Sequence, residues 1–455
     1  MRDLNALDPD FRSLLVIGAG AAGIAVATDA AMRGKRVVLL EANDAPMSLQ
    51  SSVTKRYVGP FMYEWPWSFS GDQTYPPSDA DVWQDFTGCP VFTSRVPLPA
   101  SEFAQEMVDW LRQQVLSLGN LHVATGVKSL AGLCLKDYVL DFARAASSPS
   151  AGQNSIGRKP TLDISEMNWW AGKPAEVSLS PNYIVLAAGM GTENVSLPSH
   201  DGSGPTKGDP FMGVPFWKDD ELQALADEGG RIVIIGGGDG ALQDALRSLT
   251  RFNLPLEFVD EVFKDAVDRE LLAAQRERLQ AIEAQGRLMA SWTLDARVWS
   301  ALDEKCRAVA LSLASEQSVR SAVLACFRQP QSSLEVTLLA KHGHFDKAYL
   351  LNRFVVHLLN CVFDHVATDR DRMFVRFMVK FEVAVTGVES FSSSNHIVHY
   401  QDVGAGRHEK LSANHVVVRF GVDKENAPGF QMIQLGSEDS GQRTTFSHIP
   451  LPFAV

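Results

Sequence analysis

Short unbroken apolar runs recur along the chain. Examples are LLVIG at 14–18, KRVVLLEA at 35–42, IVLAAG at 184–189 and IVIIG at 232–236. Their length and unbroken apolar character predict buried strands, and three of the four end in glycine. Two of them lead straight into helical stretches, IAVATDAAMRG (24–34) and ALQDALRSLTRF (241–252). LPLEFVDE (254–261) reads as the strand that follows the second helix. Residues 262–328 carry Leu, Ala, Arg and Glu in helical rhythm, as in ELLAAQRERLQAIEAQGRLMASW, and predict two to four inserted helices. LEVTLLAKHGHFDKAYLLNRFVVHLLNCVF (334–363) reads as strand, turn and amphipathic helix. Its Asn352 and Arg353 are polar in an apolar setting, and either line a cofactor cleft or close a packing defect. His342 and His344 read as turn histidines, because a His-x-His pair with no third ligand does not make a metal site.

Strand and helix are joined by glycine in both places. Gly18, Gly20 and Gly23 form Gly-x-Gly-x-x-Gly, and Gly236, Gly238 and Ala241 form Gly-x-Gly-x-x-Ala. The first glycine permits a tight turn, the second lets backbone approach a pyrophosphate, and the third lets the helix pack on the strand. The helix N-terminus then offers N–H groups to the phosphates. Glu41 ends the second strand, where an acid accepts hydrogen bonds from a ribose diol. At the second turn Asp260 or Glu261 takes that place, which favours NADH over NADPH.

A likeness between residues 120–193 and 381–424 supports the repetition. Each reads as a short β-meander returning to an apolar strand that ends in glycine, at Gly189 and Gly421. The halves are diverged copies of one unit. The fold class is therefore α/β: two Rossmann-like dinucleotide-binding domains with β-meanders and a helical insertion. The first comprises 1–205 and 425–455, with a loop at 47–100 and a Ser/Gly/Pro-rich insert at 143–176. The second comprises 206–424, and its 381–424 meander is a candidate to pack with the first domain.

The paired turns and the IVLAAGMGTE segment between them resemble the flavoproteins with two dinucleotide-binding domains. That group includes thioredoxin reductases, flavin monooxygenases and N-hydroxylases. IVIIGGGDGALQDAL is similar to the nicotinamide-binding turn of thioredoxin reductases. The resemblance implies FAD on the first turn, with Gly18, Gly20, Ala22, Gly23, Glu41, Ala188 and Gly189 around it. It implies NAD(P)H on the second, with Gly236, Gly238, Asp239, Ala241 and Asp260. The five cysteines are widely separated and form no Cys-x-x-Cys, which removes disulfide reduction.

Composition narrows the partners. The chain has 455 residues, 45% hydrophobic and 21% charged, with a net charge of −12. That describes a globular chain of two or three domains and argues against nucleic acid. The mixed, acidic leader fits neither a signal peptide nor a spanning helix, so the expected location is cytoplasmic with no membrane partner. YVGPFMYEWPWSFSGDQTYPP (57–77) is too rich in Pro and Gly for a regular element. Its Tyr63, Trp65 and Trp67 either wall a pocket for an organic substrate or clamp a sheet edge. The resulting expectation is an FAD-dependent oxidoreductase taking hydride from NAD(P)H, a monooxygenase or N-hydroxylase acting on a small organic substrate with molecular oxygen. The alternatives are a flavin oxidase or dehydrogenase that does not use the second turn, and a nucleotide-binding sensor without turnover. No side chain identifies itself as a catalytic acid or base, and neither the substrate nor the oligomeric state is written in the sequence.

Overall fold

Ser13–Ile17 is buried at every position, and a strand covered on both faces needs no polar alternation. This strand, β1, opens a computed structural model that describes residues 12–59, 65–66, 88–93, 97–130, 133–134, 161–176, 178–189, 193–288, 296–345, 348–365 and 374–422. The chain divides into two compact units. One contains Met1–Thr54, Asp79–Thr192 and Val422–Val455, and the other Lys55–Ser78 and Glu193–Gly421. The division expected near 205 thus falls at 192/193, residues 55–78 belong to the second unit, and so does the 381–424 segment up to Gly421.

In the first unit β1 is followed by α1 (Ala21–Met32), β2 (Arg36–Leu40), α2 (Ala100–Leu118), β3 (Leu121–Ala124), β4 (Trp169–Ala171) and β5 (Tyr183–Leu186). The sheet order is β5-β1-β2-β3-β4, parallel except for β4. Small residues let α1 lie against β1. The longer α2 is amphipathic and buries Phe103, Met107, Leu111 and Val115 at three- to four-residue spacing.

The second unit repeats the plan. It contains α3 (Leu222–Glu228), β6 (Gly230–Ile235), α4 (Asp239–Leu249), α5 (Pro255–Val262), α6 (Ala266–Ala274), α7 (Arg276–Leu288), α8 (Ala296–Ala314), α9 (Gln317–Ala325), β7 (Leu334–Leu339), α10 (Leu350–His365) and β8 (Val375–Lys380). An antiparallel meander follows, β9 (Val383–Ser392), β10 (Asn395–Asp402) and β11 (Arg407–Ala413), and then β12 (His415–Val418). The order β8-β7-β6-β12 is all parallel. It reproduces β3-β2-β1-β5 strand for strand. Gly189 and Gly421 fall at matching places, three residues past β5 and β12, with φ of 79° and 78°. The likeness of 120–193 to 381–424 begins too late in the second copy, however, because the counterpart of β3 is β8 and not the meander.

One expected strand is a helix. LPLEFVDE forms α5, whose Pro255 stands at the first turn after an extended Leu254. Pro255, Phe258, Val259 and Val262 are its buried residues, and that three- and four-residue spacing is helical. The strand partnering β6 is instead β7, beyond the insertion. None of the described helices is long and apolar enough to cross a membrane.

Candidate functional site: paired nucleotide turns

The two turns match in detail. Gly18 N–H donates to the Leu40 carbonyl at 2.7 Å, and Gly236 N–H to the Leu339 carbonyl at 2.9 Å. Each of these glycines has a positive φ, 102° and 141°, and faces the carbonyl of a neighbouring strand. A Cβ would stand 2.4 Å from the Ala187 oxygen in the first case and 2.2 Å from the Arg419 oxygen in the second. Neither position admits a side chain.

The surroundings of the first turn fit a dinucleotide phosphate. Gly20 caps α1 in extended conformation with no side-chain cap, and no acid lies in the first turn of the helix. A Cβ on Gly20 would meet nothing within 4 Å, so the backbone faces open space there. One on Gly23 would lie 1.8 Å from the Gly18 oxygen, which explains the third glycine. Ala22 lies in the first helical turn, and Ala188 and Gly189 follow β5.

Glu41 is buried and holds the turn together. Its Oε2 accepts from Ala19 N–H at 2.8 Å, and its Oε1 from the backbone and side-chain amides of Asn43 at 2.9 and 2.7 Å. A carboxylate has about four acceptor sites, so these three bonds leave room for a single ribose hydroxyl. Asn43 was not singled out in the sequence.

The second turn differs in its charges. Gly238 also faces open space and α4 also lacks a side-chain cap, but α4 begins with Asp239. Asp239 Oδ1 accepts from Tyr349 N–H at 2.8 Å and from Asn352 Nδ2 at 2.6 Å. The carboxylate is therefore held toward the start of α10, and Asn352 has the work of placing it. Burial of this carboxyl raises its pKa to about 6, although the two donated hydrogen bonds and Arg353 oppose the rise. Ala241 is fully buried where the first turn has Gly23.

Asp260 does not reach this site, since it lies in α5. The register places Ala340 at the position of Glu41, directly after the strand residue that accepts from the first glycine. Lys341 and His342 come next and are exposed. No periodicity in the sequence could reveal this, because five helices separate β7 from α4. Glu382 stands nearby, in left-handed conformation (φ 57°), and its N–H donates to the His342 carbonyl at 3.2 Å.

The aromatic loop is divided by these facts. Tyr63 and Trp67 lie outside the described residues. Trp65 is 1% exposed within the core of the second unit, its ring 4.9 Å from that of Phe354 on α10. It is a core residue and not the wall of a substrate pocket. Truncation to Ala is expected to remove roughly 3–5 kcal/mol, a fall in melting temperature on the order of 10 °C. An unchanged melting temperature with altered turnover would restore the pocket reading.

Two sheets, one all parallel and one parallel but for its edge strand β4, each with a glycine turn between its first strand and helix, define a protein with two dinucleotide-type units. Residues 13–136 match the family described as DAO, FAD dependent oxidoreductase, and the first turn lies inside the matched segment. Among solved structures the chain is similar to a thioredoxin reductase from Lactococcus lactis, at 11% identity over 90% of this chain and 78% of that one, with a TM-score of 0.38. It is also similar to DfoA from Erwinia amylovora, a cadaverine monooxygenase of desferrioxamine biosynthesis solved with FAD. That match has 12% identity over 93% and 81% of the two chains and a TM-score of 0.37. No curated protein matches the chain. The α/β fold rests on the strand order above and not on these distant likenesses.

Proposed function

We propose that the protein is an NAD(P)H-driven FAD enzyme, a monooxygenase or N-hydroxylase acting on a small organic substrate. The observation that carries the reading is the second unit, which repeats both the sheet and the turn of the FAD-type unit. A flavin oxidase needs no such copy. When bound, FAD supplies two-electron chemistry between a reduced nicotinamide and an organic or oxygen acceptor. The chain supplies the backbone N–H groups of α1 and α4 for phosphates, Glu41 for a ribose, and Asn352 to hold Asp239 beside the second turn. The wide spacing of the cysteines supports an acceptor other than a disulfide, and Cys89, Cys306, Cys326 and Cys361 are buried thiols.

NADPH replaces NADH as the proposed donor. With Ala340 where an acid would accept from a free diol, and Lys341 one residue on, the end of β7 suits a 2′-phosphate. The exposed Glu382 supports the opposite reading, NADH. The two separate on anaerobic mixing of the FAD-loaded protein with either nucleotide, followed by loss of flavin absorbance. We expect faster reduction by NADPH, and Lys341→Ala to lower that preference about tenfold, the equivalent of one charged hydrogen bond. A preference for NADH that Glu382→Gln removes would overturn this assignment, while binding of either nucleotide without bleaching would support a sensor.

A further inference from the structure

Arg353 is buried where a cation has little support. It lies at the start of α10, is 3% exposed, and its Nε is sealed from solvent without a hydrogen-bond partner. Its two Nη atoms make no hydrogen bond or ion pair among the described residues either. Its Cζ stands 5.2 Å from the centre of the Trp299 ring, and an aromatic face takes up little of a fork with five donors. Buried polar atoms are nearly always paired, and buried charges compensated. A bound water completes hydrogen bonds but leaves the charge.

The surroundings enlarge the deficit. α8 and α10 run side by side in the same direction, since Trp299 meets Arg353 and Asp303 meets His357 four residues further along each helix. Both helices therefore begin close to this guanidinium. α4 begins there too, because its first residue, Asp239, accepts from Tyr349 N–H and from Asn352, the residue before Arg353. A helical side chain leans toward the N-terminus of its own helix, which directs Arg353 to the Asp239 end. Helix N-termini carry partial positive charge, so three of them gather around an unpaired cation. The charge of Arg353 is felt by the Asp239 carboxyl, yet no ion pair joins the two among the described residues. Beside them Gly238 faces open space and leaves the start of α4 without a side-chain cap. What this place lacks is an anion.

We propose that Arg353 pairs with the pyrophosphate of the dinucleotide at the second turn, as the cation that complements the α4 amides. This rests on the reading of that turn as a nicotinamide-dinucleotide site, and it adds a binding residue that the glycine pattern does not contain. Asn352 and Arg353 then divide the work, the first placing Asp239 and the second meeting the ligand.

The test is calorimetric titration of the FAD-saturated protein with ADP-ribose and with ADP-ribose 2′-phosphate, which lack the nicotinamide. Arg353→Met keeps much of the side chain's length and removes its charge. It should weaken both ligands about 10- to 100-fold, the loss of one charge-assisted pair. Without ligand the same variant should melt no lower than wild type, since a buried charge without a partner has been taken away. Arg353→Lys keeps the charge but not the fork, and should bind both ligands more tightly than R353M. Unchanged affinity in R353M, a loss confined to the 2′-phosphate ligand, or R353K binding no better than R353M would each overturn the inference. A lowered melting temperature in R353M with affinity retained would mark a structural role instead. Failure of both ligands to bind the wild type would overturn the nucleotide reading of the second turn as well, whereas binding that R353M leaves intact overturns the role of Arg353 alone.

Discussion

Gly20→Val is expected to yield a folded protein without flavin. The substitution adds its methyl groups to the one glycine of the first turn with nothing within 4 Å of its Cβ position, so the apoprotein has no contact to lose. Its φ of −76° is one any residue adopts. The same methyl groups occupy the space through which a pyrophosphate would approach the N–H groups of α1. Gly23→Val is the complementary case. Its Cβ would overlap the Gly18 oxygen, so strand and helix must separate and folding should fail together with flavin binding. Flavin content after desalting, read beside circular dichroism and melting temperature, distinguishes the two. We expect G20V to lose at least about 100-fold in FAD affinity, nearly 3 kcal/mol, while keeping its melting temperature near that of the wild-type apoprotein. Full flavin occupancy in G20V would remove the cofactor from this turn.

The contrast between the two glycines also shows what the sequence could reveal. Strand, turn, helix and acid at 13–41 lie within one short window, and every link there is local. The same window worked for β6 and α4. It failed at the next element, because the sequence allows LPLEFVDE to be read as an apolar strand or as one buried helical face, and packing against the inserted helices selects the helix. With that choice Asp260 lies in a helix, and Ala340 and Lys341 take the place proposed for it after the strand. Trp65 failed for a different reason. A loop full of Pro and Gly looks like a lid whether its rings cover a ligand or enter a core, and only tertiary packing against Phe354 separates the two. The pairing of Asp239 with Asn352 joins residues more than a hundred positions apart, which no local pattern reports.

Asp244→Ala is expected to be among the most destabilising substitutions in the second unit. Asp244 is fully buried in α4, where Oδ1 accepts from Arg56 at 2.5 Å and from Arg247 at 2.8 Å, and Oδ2 from Arg419 at 2.9 Å. Asp220 shares Arg56 and Arg247, at 2.7 and 2.8 Å. The cluster gathers chain segments next to the junctions between the units: Arg56 follows Thr54, Glu193 opens its segment and lies 3.7 Å from Arg419, and Arg419 precedes Gly421. Burial by itself would raise the Asp244 pKa, but the guanidinium groups of Arg56, Arg419 and Arg247 outweigh it and hold the carboxyl far below the ordinary range. A carboxyl with a depressed folded pKa stabilises the fold above its unfolded value, near 3.9, and that contribution is lost as pH falls toward the folded value. Removing the charge leaves three buried guanidinium groups sharing Asp220 and Glu193. The expected loss at neutral pH is about 3–5 kcal/mol, read from denaturant midpoints. Asp244→Asn should show the same deficit above pH 4, and the gap from wild type should narrow below it. A deficit under about 1 kcal/mol, or one independent of pH down to 2, would mean that the cluster is held by its packing and not by this charge.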